Sequence, residues 1–198
     1  MPGMQLSLFG AETATPLVAD LDGLLLAGGD WVRAERRSAA RLSVLVADSW
    51  RADALRAEFG IRDLDSDTAP APGDLIAMRS AFSPALVAHA GRWTRGASLR
   101  PPPDLALSPA GLRLWAIAAG RGDGSSYLLA MADADGTLRR GAGGQLARLG
   151  VAAVDVPARG SRGGRSGPGW KITSAKRLRR LSELIGAPPP GAGADWPN

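Results

Sequence analysis

The chain contains no cysteine. That removes a disulfide framework, a thiol nucleophile and any cysteine-based zinc site. Histidine is nearly as scarce: His89 stands alone in 198 residues. A multi-histidine metal centre has no material, and a Ser-His-Asp triad has no base other than this one ring. Of 24 basic residues only Lys171 and Lys176 are lysines. Aromatics make up 5%, and six of those ten are tryptophan. No apolar run approaches the roughly 18 residues of a membrane span. The N-terminus has no basic stretch leading into an apolar one, so no secretory signal is expected. These absences point to a cytosolic protein without a membrane partner.

What remains is a chain with enough apolar residues, 45%, to bury a sizeable core. Its length suits one large domain or two small similar halves. A net charge of +5 and a pI near 10.8 permit nucleic-acid binding. The same Ala, Gly, Pro and Arg usage also follows from a GC-rich genome, so charge alone decides nothing.

The local signals are clear in places. "PLVADLDGLLLAGG" predicts a helix over about 16–28, with Pro16 at its start and Gly28-Gly29 at its end. "DWVRAERR" and "ARLSVLVAD" predict two strands around a polar turn, the second from the alternation of Leu42, Val44 and Val46. Trp50, Ala54, Leu55 and Phe59 fall at helical spacing between Ser49 as N-cap and Gly60 as stop. Two short strands follow around a Pro/Gly turn, then a helix from Ser83-Pro84. Residues 99–107, with three consecutive prolines, predict a stiff linker. Beyond it, Ser108-Pro109 opens a helix, "YLLAMADADG" predicts a short helix ending at Gly136, and "AKRLRRLSELIG" predicts a helix with Leu178, Leu181, Leu184 and Ile185 on one face. His89 is expected to be an ordinary packed or surface histidine, and most of the tryptophans to pack in the core or at the interface between the repeats. Residues 187–198 predict a disordered tail.

The order of elements recurs on either side of the linker. "LDGLLLAGG" at 21–29 lines up with "LLAMADADG" at 128–136. The pair resembles the repeated motif of the LAGLIDADG homing endonucleases and their non-cutting relatives. Leu21, Gly23, Leu24, Ala27 and Gly29 match in the first copy, and Leu128, Asp133, Ala134, Asp135 and Gly136 in the second. The resemblance implies an α+β fold made of a pseudo-twofold pair of αββαββα repeats, over 15–98 and 108–186, the second abbreviated by a strand. It implies that Gly23 and Ala27 pack against Ala130 and Ala134, small residues at i and i+4 that let two helices meet closely. It also implies a saddle of sheets lying on DNA.

In that family a second acidic residue in each motif holds divalent cations for phosphodiester hydrolysis. Asp135 occupies the place in the second copy, but Gly28 occupies it in the first, with Asp30 two residues further on. Leu26 replaces the other acid of the first motif. The resemblance therefore implies a protein that does not cut and needs no cofactor, with Mg²⁺ at Asp135 only if it is a nuclease. "DADG" also fits a plain turn at a helix end. Candidate DNA contacts are Arg33, Arg36, Arg37 and Arg41 on the first hairpin, Arg139 and Arg140 after the second motif, and Arg159, Arg162 and Arg165 in a Gly-rich stretch. Each cluster also fits an ordinary solvated surface.

Residues 1–14 read as a flexible tail around an apolar island, Gln5, Leu6, Ser7, Leu8 and Phe9. "QLSLF" resembles the pentapeptide by which bacterial polymerases and repair proteins dock on the sliding clamp. The resemblance implies Gln5 in polar contacts and Leu6, Leu8 and Phe9 in an apolar pocket. The same side chains also suit an edge strand or a staple on the first helix. The combined reading is a monomeric, cytoplasmic, non-catalytic bacterial DNA-binding protein that docks on the sliding clamp in replication or repair. A metal-dependent endonuclease and a protein-only adaptor remain the alternatives.

Overall fold

The structure is a computed structural model that describes residues 10–11, 15–96, 98–131, 136–157 and 168–197. A 3-10 turn, Val18–Leu21, runs into helix α1, Asp22–Leu26. Gly28 then takes φ of +99°, a left-handed conformation that ends the helix, as Gly28-Gly29 predicted. Strands β1 (Asp30–Arg33) and β2 (Ala40–Val46) follow, then helix α2 (Ser49–Gly60), β3 (Ser66–Ala71) and β4 (Leu75–Ser80). A 3-10 turn at Pro84–Leu86, with the Ser83 hydroxyl accepting from the Ala85 N–H, leads into α3, Val87–Trp93. The four strands form an antiparallel sheet in the order β1-β2-β4-β3.

After a two-stranded hairpin, β5 (Thr94–Arg95) and β6 (Ser98–Leu99), the order repeats. It comprises α4 (Pro109–Ala119), β7 (Gly120–Gly122), β8 (Tyr127–Ala130), α5 (Gly136–Arg148), β9 (Val154–Val156), β10 (Gly169–Ile172) and α6 (Ala175–Ile185). Its sheet runs β7-β8-β10-β9, the same path as the first. The chain is thus an α+β protein of two αββαββα repeats. The second is abbreviated in strand length, four residues at most against seven in β2, and no strand is missing.

One element differs from expectation. Residues 127–130 are a strand, whereas the apolar run through Gly136 predicted a helix. Tyr127 and Leu129 are buried while Leu128 and Ala130 are half-buried, a period of two that a short apolar run hides. The helix that partners α1 is α4, "PAGLRLWAIAA". The two meet backbone to backbone: a Cβ built on Gly23 would overlap the Gly111 carbonyl. Ser108 fastens the crossing. Its hydroxyl caps α4 by accepting from the Gly111 N–H at 2.9 Å and donates to Asp20 Oδ1 at 2.6 Å.

Charged side chains extend this joint between the repeats. Arg62 of the first repeat donates to Asp20 at 2.9 Å and to Glu58 at 2.8 Å, and Arg113 of α4 donates to the other Glu58 oxygen at 2.8 Å. Arg62 and Asp20 are nearly fully enclosed, at 2% and 3% side-chain exposure, so each charge depends on its partner. Arg51 of α2 reaches the end of α4, donating to the carbonyls of Ile117 and Gly120 at 2.7 Å and to Asp195 at 2.9 Å. A cation at these free carbonyls complements the helix C-terminus. One apolar cluster spans both repeats, with Trp93, Trp115, Tyr127 and Phe59 among its fully enclosed side chains.

Both flanking segments are packed. In the connection before α4, Leu105 and Leu107 are buried, and the Gln145 amide brackets them by donating to Leu105 O and accepting from Leu107 N. The C-terminal segment, expected to be disordered, is folded onto the molecule through residue 197. Trp196 is buried, donates to Gly186 O at 3.0 Å and lies under the Arg113 guanidinium. A large apolar ring near the terminus is what a tail reading overlooks.

The helix joint yields a direct test. Gly23→Ala is expected to lower unfolding stability by about 3 kcal/mol or more, because backbone cannot yield as a side chain does. Gly141→Ala, in α5 with open space at its Cβ, is expected to raise stability by up to about 1 kcal/mol. Equal effects in chemical denaturation would refute the close contact.

Candidate nucleic-acid interface

Among the described residues, each sheet has one face against helices and one without. The pairing register sorts the side chains. On the open face of the first sheet, Val32 lies opposite Arg41, Asp30 opposite Ser43, Ser43 opposite Arg79, Arg79 opposite Asp67, Leu45 opposite Ala77, and Leu75 opposite Ala71. On the second, Arg121 lies opposite Leu128, Leu128 opposite Lys171, and Lys171 opposite Val154. These faces carry Arg79, Arg121 and Lys171, which the hairpin pattern did not single out. Alternation within "LIAMRS" was the available signal for Arg79.

The arginines singled out by sequence divide by role. Arg36 and Arg37 sit exposed at the β1–β2 hairpin tip and make no ion pair among the described residues. Arg37 is in the left-handed region, φ +52°. Arg41 projects from the open face and stacks over the Phe82 ring at 4.8 Å. Arg33 points to the helix side and donates to Thr94 Oγ1 at 2.8 Å. Arg139 is held in α5 by Asp155 and by Val156 O, while Arg140 is exposed on the same helix. Arg159, Arg162 and Arg165 lie outside the described residues, as do Gln5, Leu6, Ser7, Leu8 and Phe9.

The small residues divide too. Gly23 lies at the helix joint, and Ala27 follows the end of α1, packed against the core. Ala130 is on β8, away from that joint, and Ala134 is outside the described residues. Gly111 is the partner of Gly23.

The acids decide what chemistry the helix pair can host. Asp30, on the open face at the start of β1, accepts from the Trp31 N–H at 2.8 Å. From Pro109 to Gly122, α4 and the strand after it contain no carboxylate. Asp135 lies outside the described residues, between β8 and α5 rather than on the helix beside α1. The donor set therefore does not fit a cation shared between two motif helices. Among the described residues no group of three His, Asp or Glu side chains converges. Asp22 is engaged structurally: buried at the start of α1, its Oδ1 meets His89 Nε2 at 2.7 Å and accepts from Trp93 Nε1 at 2.6 Å.

At the margin of the second open face, Asp123 organises the β7–β8 turn. It accepts from the Ser126 hydroxyl and N–H at 2.6 Å and from the Ser125 N–H at 3.1 Å, and Lys171 lies 3.4 Å away. The Ser126 hydroxyl foremost, then the backbone N–H groups, hold its carboxyl well below the usual range. Any stabilisation by the charged form is complete above the ordinary carboxylate pKa and fades as pH falls through the lowered one. An NMR titration is expected to place Asp123 protonation below the ordinary range, with Ser126→Ala moving it upward. An unmoved midpoint in that variant would discard the assignment.

No family model matches the sequence, and no curated protein matches it. Solved structures do match. The homing endonuclease I-WcaI, bound to its DNA recognition sequence, matches at a TM-score of 0.55 and 12% identity, over 93% of this chain and 88% of that one. Full-length DUF199/WhiA from Thermatoga maritima matches at 0.55 and 13% identity, over 86% of this chain and 55% of that one. The N-terminal LAGLIDADG domain of DUF199/WhiA matches at 0.54 and 14% identity, over 86% of this chain and 82% of the domain. The chain thus spans about half the length of full-length WhiA. At these identities the likeness establishes the fold, that of a two-repeat LAGLIDADG domain.

Proposed function

We propose that this LAGLIDADG-type chain is a non-catalytic, monomeric DNA-binding protein that docks on the bacterial sliding clamp and acts in replication or repair. The observation that carries the DNA reading is the pair of sheets with helix-free faces, bordered by the exposed Arg36 and Arg37. A fold neighbour with the same architecture is a homing endonuclease bound to DNA. No helix among the described residues is long and apolar enough to cross a membrane.

Clamp docking rests on Gln5, Leu6, Ser7, Leu8 and Phe9. The peptide precedes Ala11, whose N–H donates to Leu184 O of α6 at 2.8 Å, so its root is fastened to the body. Extended peptides of this kind bind through side-chain anchors, at about micromolar affinity, roughly 8 kcal/mol. A ring already on DNA raises the local concentration of a DNA-binding body tethered to it. The endonuclease alternative has the fold in its favour and the missing α4 carboxylate against it.

Three measurements test the reading. Binding to labelled DNA is expected to weaken with salt, with a log–log slope of about −0.9 per phosphate neutralised. Paired Arg36→Ala and Arg37→Ala substitutions are expected to flatten that slope. The same DNA is expected to stay intact with Mg²⁺, and cutting lost in Asp135→Ala would favour the nuclease. Capture of the chain by immobilised clamp is expected to vanish in Leu8→Ala and Phe9→Ala. Undiminished capture would remove the docking assignment.

A further inference from the structure

The open face of the first sheet is poor in free positive charge. Arg79 is held by Asp67 at 2.6 Å, and Asp30 stands in the same row. Apart from Arg41 and Ser43, the rest of the face is apolar. Val32, Leu45 and Phe82 are 38%, 51% and 45% exposed, with Leu75, Ala69, Ala71 and Ala77 beside them. A duplex presents phosphates and the edges of its bases but keeps the base faces stacked inside, so a broad apolar centre offers it little beyond contact with thymine methyls. An unpaired strand presents base faces, which apolar and aromatic side chains do accommodate.

Arg41 adds a second observation. Its guanidinium lies 4.8 Å over the Phe82 ring, and its Nε is buried without a partner. Among the described residues it makes no hydrogen bond or ion pair. Its Nη groups therefore have no acceptor among the described residues and can donate to a phosphate or a base edge, while the ring beneath holds the guanidinium in place. Arg36 and Arg37 extend the free charge along the same two strands to the hairpin tip. Cations at the margin, a pre-stacked arginine–aromatic pair and an apolar middle complement a polyanion with exposed π faces.

We infer that this face binds unpaired DNA, as a single strand or at a fork, in preference to duplex. The inference rests on the DNA-binding reading above and narrows it to a substrate class. Val32, Arg41, Leu45 and Phe82 form the base-contacting surface, and Arg36 and Arg37 contact phosphates.

The test uses the full chain with a labelled single strand, a fork and a duplex of the same sequence, by fluorescence anisotropy at one salt concentration. Single strand and fork are expected to bind at least about tenfold tighter than duplex. Phe82→Ala is expected to weaken single-strand binding by about tenfold, the effect of losing one stacked base, and to leave duplex binding unchanged. Leu45→Ser, in another row of the face, is expected to act in the same direction. Thermal unfolding confirms that both variants fold. Duplex binding as tight as single-strand binding, or folded face variants without effect, overturns the inference and leaves the DNA reading standing. No binding to any of the three at low salt overturns both and assigns the apolar face to a protein partner.

Discussion

The contact between Gly23 and Gly111 is the constraint from which the rest of the molecule follows. Two helices can touch backbone to backbone only where neither carries a Cβ at the crossing. Their approach brings Asp20 of one repeat against Ser108 of the other and leaves carbonyls and acids facing each other at low exposure. Such groups are costly unless paired. The surrounding arginines meet that demand, with Arg62 on Asp20 and Glu58, Arg113 on Glu58, and Arg51 on the carbonyls that end α4. A short polar chain of contacts, rather than a large apolar seam alone, therefore joins the two repeats.

This use of arginine changes what the net charge of +5 means. Arg33, Arg51, Arg62, Arg113 and Arg139 serve the fold and are largely committed to protein acceptors. Among the described residues, the cations left for a polyanion are fewer and lie in particular places, on the first sheet at the hairpin tip and Arg41, and on α6 at the exposed Lys176, Arg177 and Arg179. The helix-free faces themselves mix opposite charges with exposed aliphatic side chains. A basic composition thus overstates the strength of the electrostatic surface, and the position of each guanidinium states it better.

Much of the fold was readable in advance. The alternation through Leu42, Val44 and Val46, the Ser-Pro helix starts at 83 and 108, and the Gly28-Gly29 stop all work through neighbours within a few residues. The second motif was misplaced for a definite reason. "LLAMADADG" has a glycine and acids at suggestive spacing, yet its apolar residues sit on a strand. The true partner, "PAGLRLWAIAA", has no acid and carries the glycine that packing requires. Similarity of letters favoured the wrong segment, whereas close packing identified the right one.

Local chemistry in the chain specified most elements, their order and the two-repeat class, since periodicity, caps and turns operate over a single turn or hairpin. Which glycines touch, which arginines are enclosed and why Trp196 is not in a loose tail could not be read that way. Each depends on residues brought together from distant positions, as Arg51 meets Asp195 and Asp22 meets His89. Burial creates the need for those partners, and burial exists only once the two repeats have closed on one another.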